Sequence, residues 1–402
     1  MIDPFAWLVL LAIPGHVSWL LWLNNNLHAR PSDYRRVKPI SKAINVFLAV
    51  GVSAALAWSG ARLAGEFGAL MGRPLAALDR ELPPLVMLYV AFCTVNTIVG
   101  FLPWLVRRLV LPPSDHLAKD EAKLVDLRKE LAPPLARWTR ARILTSIPGN
   151  QALHLAVHTK RLLIPRLPPS LAGLRIVHLS DLHLTGELDR RVYEYFADVT
   201  QALEPDIVAI TGDIVEKTPC WDWLPEIFSR YRGRYGGYFV LGNHDIRIDH
   251  QRTRQILVEA GLVNLGVECR SAAIADAEVL LCGNELPWLG PPPVPPRRSS
   301  RYGDRTLRVL LAHTPDQLPY ARKHDVDLML AGHVHGGQIC IPPLGPILAP
   351  SFHGVHYAAG VFYESPTVMH VSRGTSGKLP LRFFCPPELA LLILQPAATE
   401  AV

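Results

Sequence analysis

Residues 174–183, Leu-Arg-Ile-Val-His-Leu-Ser-Asp-Leu-His, form a short apolar run that ends abruptly in a carboxylate and an imidazole. A run of this length and composition reads as a buried strand. The pattern recurs along the chain. Ile207–Thr211 runs into Gly212-Asp213, and 238–241 into Gly242-Asn243-His244-Asp245. Residues 307–312 run into His313, and Leu328–Ala331 into Gly332-His333-Val334-His335-Gly336-Gly337. Between the first strands, 189–203 and a stretch near 223–231 have helical spacing. Strands alternating with helices predict an α/β domain, with ligands at the strand ends. Glycine beside most of these stops lets the backbone turn sharply there.

The residue types also agree chemically. Carboxylate, amide oxygen and imidazole suit borderline and hard divalent cations, and no Cys-x-x-Cys pair offers a structural zinc site. Asp181, His183, Asp213, Asn243, His313, His333 and His335 are too many donors for one ion. They suffice for two if one carboxylate bridges. Two cations so placed can clamp a phosphoryl group and activate a water.

The series Asp181-x-His183, Gly212-Asp213, Gly242-Asn243-His244-Asp245, His313 and Gly332-His333-x-His335 resembles the calcineurin-like metallophosphoesterase superfamily. The resemblance covers 174–394. Gly336-Gly337-Gln338, Val371-Ser372-Arg373-Gly374, Leu381-Arg382-Phe383 and Pro387-Glu388 narrow it toward a bacterial membrane-associated branch. It implies a four-layer αββα sandwich. One ion would be held by Asp181, His183 and His335, the other by Asn243, His313 and His333, with Asp213 bridging. His244 would be the acid, oriented by Asp245, and the nucleophile a water acidified by the cations. Manganese, iron, zinc or cobalt would suit this donor set.

The N-terminal third differs. Apolar residues make up 49% of the 402-residue chain, and the excess sits in the first hundred residues. Three stretches without Asp, Glu, Lys or Arg, about 5–23, 43–61 and 82–106, are long enough to cross a bilayer. The first lacks a basic n-region and a small-residue cleavage site, so it is expected to be a retained span. His16 and Asn96 within the spans read as interhelical hydrogen-bond partners. Arg30, Arg35, Arg36, Lys38 and Lys42 in the first loop, and Arg107-Arg108 after the third span, place the catalytic domain in the cytoplasm by positive-inside bias. The expected divisions are therefore a transmembrane region over 1–112, an amphipathic helical connector over 113–150, and the catalytic domain over 151–402.

Several residues stay open. Arg373 could meet a phosphate, as a guanidinium fork suits that geometry, and His353 and His356 could contact substrate. His178 lies within its strand and points away from the ligand face. Trp221, Trp223 and Trp288 flank ligand loops, as core packing or as a greasy rim. The Pro-rich segment 287–301 is expected to be an extended loop. Six scattered cysteines read as free thiols. A net charge of +6 without a dense Lys/Arg run excludes a nucleic-acid footprint. Together these features predict a membrane-anchored hydrolase of a phosphoester or pyrophosphate bond, on a lipid-linked or nucleotide-lipid substrate. The alternatives are a cyclic-nucleotide or general phosphodiesterase, a phosphoprotein phosphatase, and a receptor or scaffold that retains the fold. No oligomeric state follows from the sequence.

Overall fold

The structure, a computed structural model, describes residues 4–30, 34–70, 82–110, 114–296 and 305–397. It divides into two compact units, Met1–Pro112 and Pro113–Val402. Part of the Pro-rich segment expected over 287–301, from 297 onward, lies outside the described residues.

The first unit is helical: α1 (Pro4–Ala29), α2 (Tyr34–Leu70), α3 (Pro84–Asn96) and α4 (Leu102–Val110), the last two joined through a π-helical stretch, Thr97–Phe101. Three helical segments, Pro4–Ala29, Arg36–Gly65 and Pro84–Val110, are long and apolar enough to cross a membrane. Several of their polar groups are hydrogen-bonded. His16 Nδ1 lies 2.6 Å from the Tyr89 hydroxyl, and Asn96 donates to the Phe92 carbonyl of its own helix. Thr97 Oγ1 donates to the Leu11 carbonyl and accepts from Gly15 N–H. Gly15 lets α1 and α3 approach closely, since a Cβ there would fall on the Cys93 carbonyl.

The second unit opens with β1 (Leu117–Asp126), then α5 (Leu127–Glu130), α6 (Thr139–Ser146), β2 (His154–Ile164) and β3 (Arg175–Leu179). Next come α7 (Arg190–Ala202), β4 (Ile207–Thr211), α8 (Leu224–Phe228), β5 (Gly237–Val240), α9 (His250–Glu259) and β6 (Val263–Asn264). These six strands and β15 (Glu388–Pro396) form one seven-stranded sheet in the order β1-β2-β15-β3-β4-β5-β6. A second sheet holds β7 (Arg270–Ile274), β8 (Ala277–Asn284), β9 (Thr306–Ala312), β10 (Leu328–Ala331), β13 (Gly360–Glu364) and β14 (Thr367–Val371). Helix α10 (Leu318–Lys323) precedes β10, and a small hairpin of β11 (Cys340–Ile341) and β12 (Gly345–Pro346) follows it.

Three apolar clusters show how the layers stack. One lies between the seven-stranded sheet and α7, α8 and α9, and includes Val177, Phe196, Ile210 and Phe228. The second fills the space between the sheets, with Ile176, Val240, Leu307 and Leu328. The third seats α10 on the second sheet through Leu310, Leu318 and Met329. Helix, sheet, sheet and helix are the four layers expected. Sequence alternation decides the faces: in β3, Val177 and Leu179 meet the helices while Ile176 meets the other sheet.

Two expectations are corrected here. The helix expected from 114 to 131 is mostly strand β1, paired antiparallel with β2. Leucine spacing misleads because β1 is an edge strand exposed along most of its length, so no buried face imposes a period of two. Its Lys119, Asp120, Glu121 and Lys123 are charges of the kind that guard an open edge. The expected connector thus contributes a strand to the catalytic sheet. The cysteines also are not all thiols: Cys269 and Cys282 form a disulfide with Cα atoms 4.3 Å apart. The β7–β8 register pairs Arg270 with Leu281, and one further step brings the two cysteines opposite each other. Their spacing in sequence does not reveal this.

A polar thread crosses the core between the sheets. The Lys160 ammonium donates to Glu388 and lies 3.1 Å from His370 Nε2. His370 Nδ1 is 2.8 Å from His178 Nδ1, and His178 Nε2 is 2.9 Å from Thr211 Oγ1. Burial, helped by the Lys160 charge, pushes His370 down to about 4. Burial alone would raise the Glu388 carboxyl, but Lys160 and His370 hold it well below the usual range. Glu388→Gln would leave a buried ammonium without its counter-charge and is expected to cost about 3–5 kcal/mol, read as a lowered unfolding midpoint in denaturant.

Candidate metal centre

Asp181 and His183 follow β3, Asp213 follows β4, Asn243 and His244 follow β5, His313 follows β9, and His333 and His335 follow β10. Both sheets therefore deliver side chains to one place. Five of these residues hold left-handed backbone: Asp181 (φ 54°), His183 (φ 44°), Asp213 (φ 53°), His333 (φ 70°) and His335 (φ 50°). Such conformations cost of order 1–3 kcal/mol each unless the surroundings impose them. Two of them are fixed by backbone hydrogen bonds: Asp181 N–H donates to the Gly212 carbonyl and His183 N–H to the Asp213 carbonyl. Gly212 (φ 87°) has no room for a Cβ, which would meet His313 Nδ1 at 2.6 Å and Gly242 N at 2.7 Å.

The side chains fall into groups that can each hold an ion. Asp181, His183, Asp213 and His335 form one, and Asp213, His313 and His333 another, with ligand atoms within 4.8 Å of one another in each. Asp213 belongs to both. Its Oδ2 is 3.5 Å from His183 Nε2 and 3.4 Å from His313 Nε2. Asn243 Oδ1 lies 3.1 Å from His313 Nε2, beside the second group. His313 Nδ1 is 2.7 Å from the Thr211 carbonyl; donation there leaves Nε2 for a cation.

The donor set fits divalent cations. Asp181 Oδ1 and His333 Nε2 are buried without a hydrogen-bond partner among the described residues, and an orphaned buried polar atom costs about 1–3 kcal/mol. Burial holds His333 and His335 well below the usual histidine range, which is the neutral form a metal needs. Burial disfavours the Asp213 carboxylate, but the charges of His313 and His244 keep it well below the usual range. Burial would lower His313, yet the neighbouring Asp213 charge raises it to about 9.

His244 is held differently from the sequence expectation. The Asp245 carboxylate does not orient the imidazole. It accepts backbone N–H bonds from Ile214 (2.9 Å), Val215 (3.0 Å) and Gly242 (2.8 Å), tying the turn after β5 to the turn after β4. Burial and the Asp213 charge raise it to about 7. The imidazole instead meets Glu216, whose Oε1 pairs with His244 Nδ1 and lies 2.8 Å from His183 Nδ1. Burial would raise the Glu216 carboxyl, and those two imidazoles bring it far down. Sequence reasoning missed Glu216; an acid three residues after the strand-end Asp213 was the available signal. His244 N–H also donates to Asp213 Oδ1 at 2.8 Å.

Other expected residues are less central. Trp288 packs on His333 and His313, with ring centroids 4.9 and 5.5 Å away, and walls the second group. Trp221 donates to Thr253 and Trp223 packs on Tyr193. Arg373 passes its backbone N–H to Glu388, and its side chain lies beside Gly336. His353 meets Tyr357 edge-on and His356 lies tilted against the same ring, rather than among the ligands. Arg382, buried, anchors the His335 loop by donating to the His335 and Arg373 carbonyls.

Residues 174–337 match the family model of the calcineurin-like phosphoesterases. This segment is a domain of the calcineurin-like metallophosphoesterase superfamily. Membership implies a metal-dependent phosphoester hydrolase. Over 242 residues the chain is 29% identical to the uncharacterized metallophosphoesterase YkuE of Bacillus subtilis, covering 57% of this chain and 82% of that one. It is 30% identical over 295 residues to a bovine transmembrane protein with metallophosphoesterase domain, covering 68% and 65%. It is 27% identical over 228 residues to phosphodiesterase YaeI of Escherichia coli, covering 56% and 83%.

A Cβ at Gly212 would push both His313 and the Gly242 turn aside. Gly212→Ala is therefore expected to purify folded but with depleted metal, measured by plasma mass spectrometry beside a circular dichroism melt.

Proposed function

We propose that this chain is a membrane-anchored, dinuclear-metal phosphoesterase that cleaves a phosphodiester or pyrophosphate bond. The observation that carries the reading is the shared carboxylate: Asp213 lies in both ligand groups and beside the His244 imidazole, 4.0 Å away. Asp181, His183 and His335 would hold one cation, and Asn243, His313 and His333 the other. Bound there, the cations would neutralise phosphoryl oxygens and lower the pKa of an attacking water. The protein supplies the rest. His244 is placed to give a proton to the leaving oxygen, and Glu216 fixes the ring through Nδ1, so that Nε2 faces Asp213. Glu216 also orients His183 through the same carboxylate oxygen. Asp245 positions Asn243 and His244 through the backbone of their turn.

The relative named as a phosphodiesterase favours a diester. The three apolar helices favour a lipid-linked or nucleotide-lipid substrate, because a tether raises encounters with anything held in the same bilayer. Basic residues around the first loop favour a multi-pass arrangement with the catalytic domain in the cytoplasm. The Cys269–Cys282 bridge pulls the other way, since disulfides persist mainly in oxidising compartments. A reporter fused after Val402 decides between them. Cytoplasmic signal is expected, and an exported reporter would overturn the assignment.

Manganese-dependent hydrolysis of bis(p-nitrophenyl) phosphate is expected for the purified chain, and Asp213→Asn and His335→Ala should abolish it together with metal content. Glu216→Gln should retain metal while kcat drops about 10²–10⁴-fold, the usual worth of a general acid. Unchanged kcat in that variant would remove Glu216 as the group that positions His244. Absence of turnover with every divalent metal would favour a scaffold.

A further inference from the structure

Next to the metal centre the catalytic unit exposes apolar side chains that its fold does not use. In α6 only Ala141 is buried. Ile143 and Ile147, four residues apart, share the face turned away from it, and Ile143 is 61% exposed. Phe384 is 66% exposed, and Ile339 and Ile341 on the hairpin after His335 are 43% and 45% exposed. Scattered singly, such residues would need no explanation.

These segments adjoin. The Asn150 side chain donates to the Leu144 carbonyl of α6 and to the Pro380 carbonyl, and its Oδ1 accepts from Arg382 N–H. Cys340 N–H donates to the Phe383 carbonyl and Phe383 N–H to the Gln338 carbonyl. The Phe383 ring lies against Gly149. So the end of α6, the 379–384 loop and the β11 hairpin form one continuous surface. It borders the metal centre, because Arg382 holds the His335 loop and Ile339 follows His335 by four residues.

Its charge is one-sided. The stretches 131–149, 334–351 and 374–387 contain no Asp or Glu, while Arg140 and Arg142 lie in α6 and Arg137 two residues before it. Arg140 shares the outward face with Ile143, a mixture of arginine and isoleucine that suits a headgroup interface. Three residues, 111–113, separate the end of the last apolar helix from the start of the described catalytic unit.

We propose that this surface docks on the anionic face of a lipid bilayer and sets the mouth of the metal centre against the headgroups. The inference rests on the reading that the apolar helices span a membrane. Substrate would then enter from the lipid side, past Ile339 and Phe384, without leaving the bilayer fully.

The test uses the full chain reconstituted in phosphatidylethanolamine vesicles containing a photoactivatable phosphatidylglycerol. After illumination, crosslinks are mapped by mass spectrometry. Within the catalytic unit they are expected at 139–147, 338–341 and 383–384. They are not expected around Val267, which is equally exposed at 65% but lies elsewhere. Arg140→Glu, Ile143→Asp and Ile147→Asp should each reduce the patch crosslinks to the Val267 level. Their hydrolysis of soluble bis(p-nitrophenyl) phosphate should be unchanged, which also certifies folding. Crosslinks confined to the apolar helices, or as frequent around Val267 as on the patch, would overturn the docking. So would protection of the patch that depends on protein concentration in detergent, which would mark a seat for a second copy. Soluble turnover is read separately, so docking and catalysis can fail independently.

Discussion

Everything at the catalytic end depends on one carboxylate held in an unfavourable backbone conformation. Asp213 follows β4 with φ 53°, and the turn directs its side chain between imidazoles from both sheets. His183 reaches it from the first sheet and His313 from the second. Its other oxygen is occupied by His244 N–H. A buried carboxylate of this kind is expensive unless compensated, and the surrounding histidines compensate it in part. Two donor atoms, Asp181 Oδ1 and His333 Nε2, have no hydrogen-bond partner among the described residues. The cations proposed for the site would take them up, and coordination would then add to the hydrogen bonds that hold the five left-handed residues.

This constraint explains the architecture around it. Two sheets packed face to face allow strand ends from β3, β4, β5, β9 and β10 to converge. Gly212 and Gly332 permit the approach, since at either one a Cβ would collide with a neighbouring ligand loop. The polar thread from Lys160 through His370 and His178 to Thr211 runs between the same sheets and ends at the residue whose carbonyl faces His313. His178 points away from the ligands yet is tied to one of them through Thr211.

The ligand-bearing strands were legible because each combines a buried apolar run with a polar stop, a pattern set by local burial. What was not legible depended on partners distant in sequence. Strand β1 has no buried face to give it a period, and only its pairing with β2 makes it a strand. Cys269 and Cys282 meet through strand register. Glu216 carries no signal beyond its place after Asp213; its role appears only when β5 brings His244 alongside. Asp245 sits in the expected motif, but its carboxylate turns to three backbone N–H groups instead of the imidazole. Motif adjacency gave the residue and misassigned its contact.

The most direct test of the shared carboxylate is anomalous diffraction from crystals of the manganese-loaded chain, collected on both sides of the metal edge. The account predicts two peaks about 3.5–4 Å apart, with an Asp213 oxygen between them and Asp181 and His333 on opposite sides. A single peak, or two peaks with Asp213 bound to only one, would contradict it.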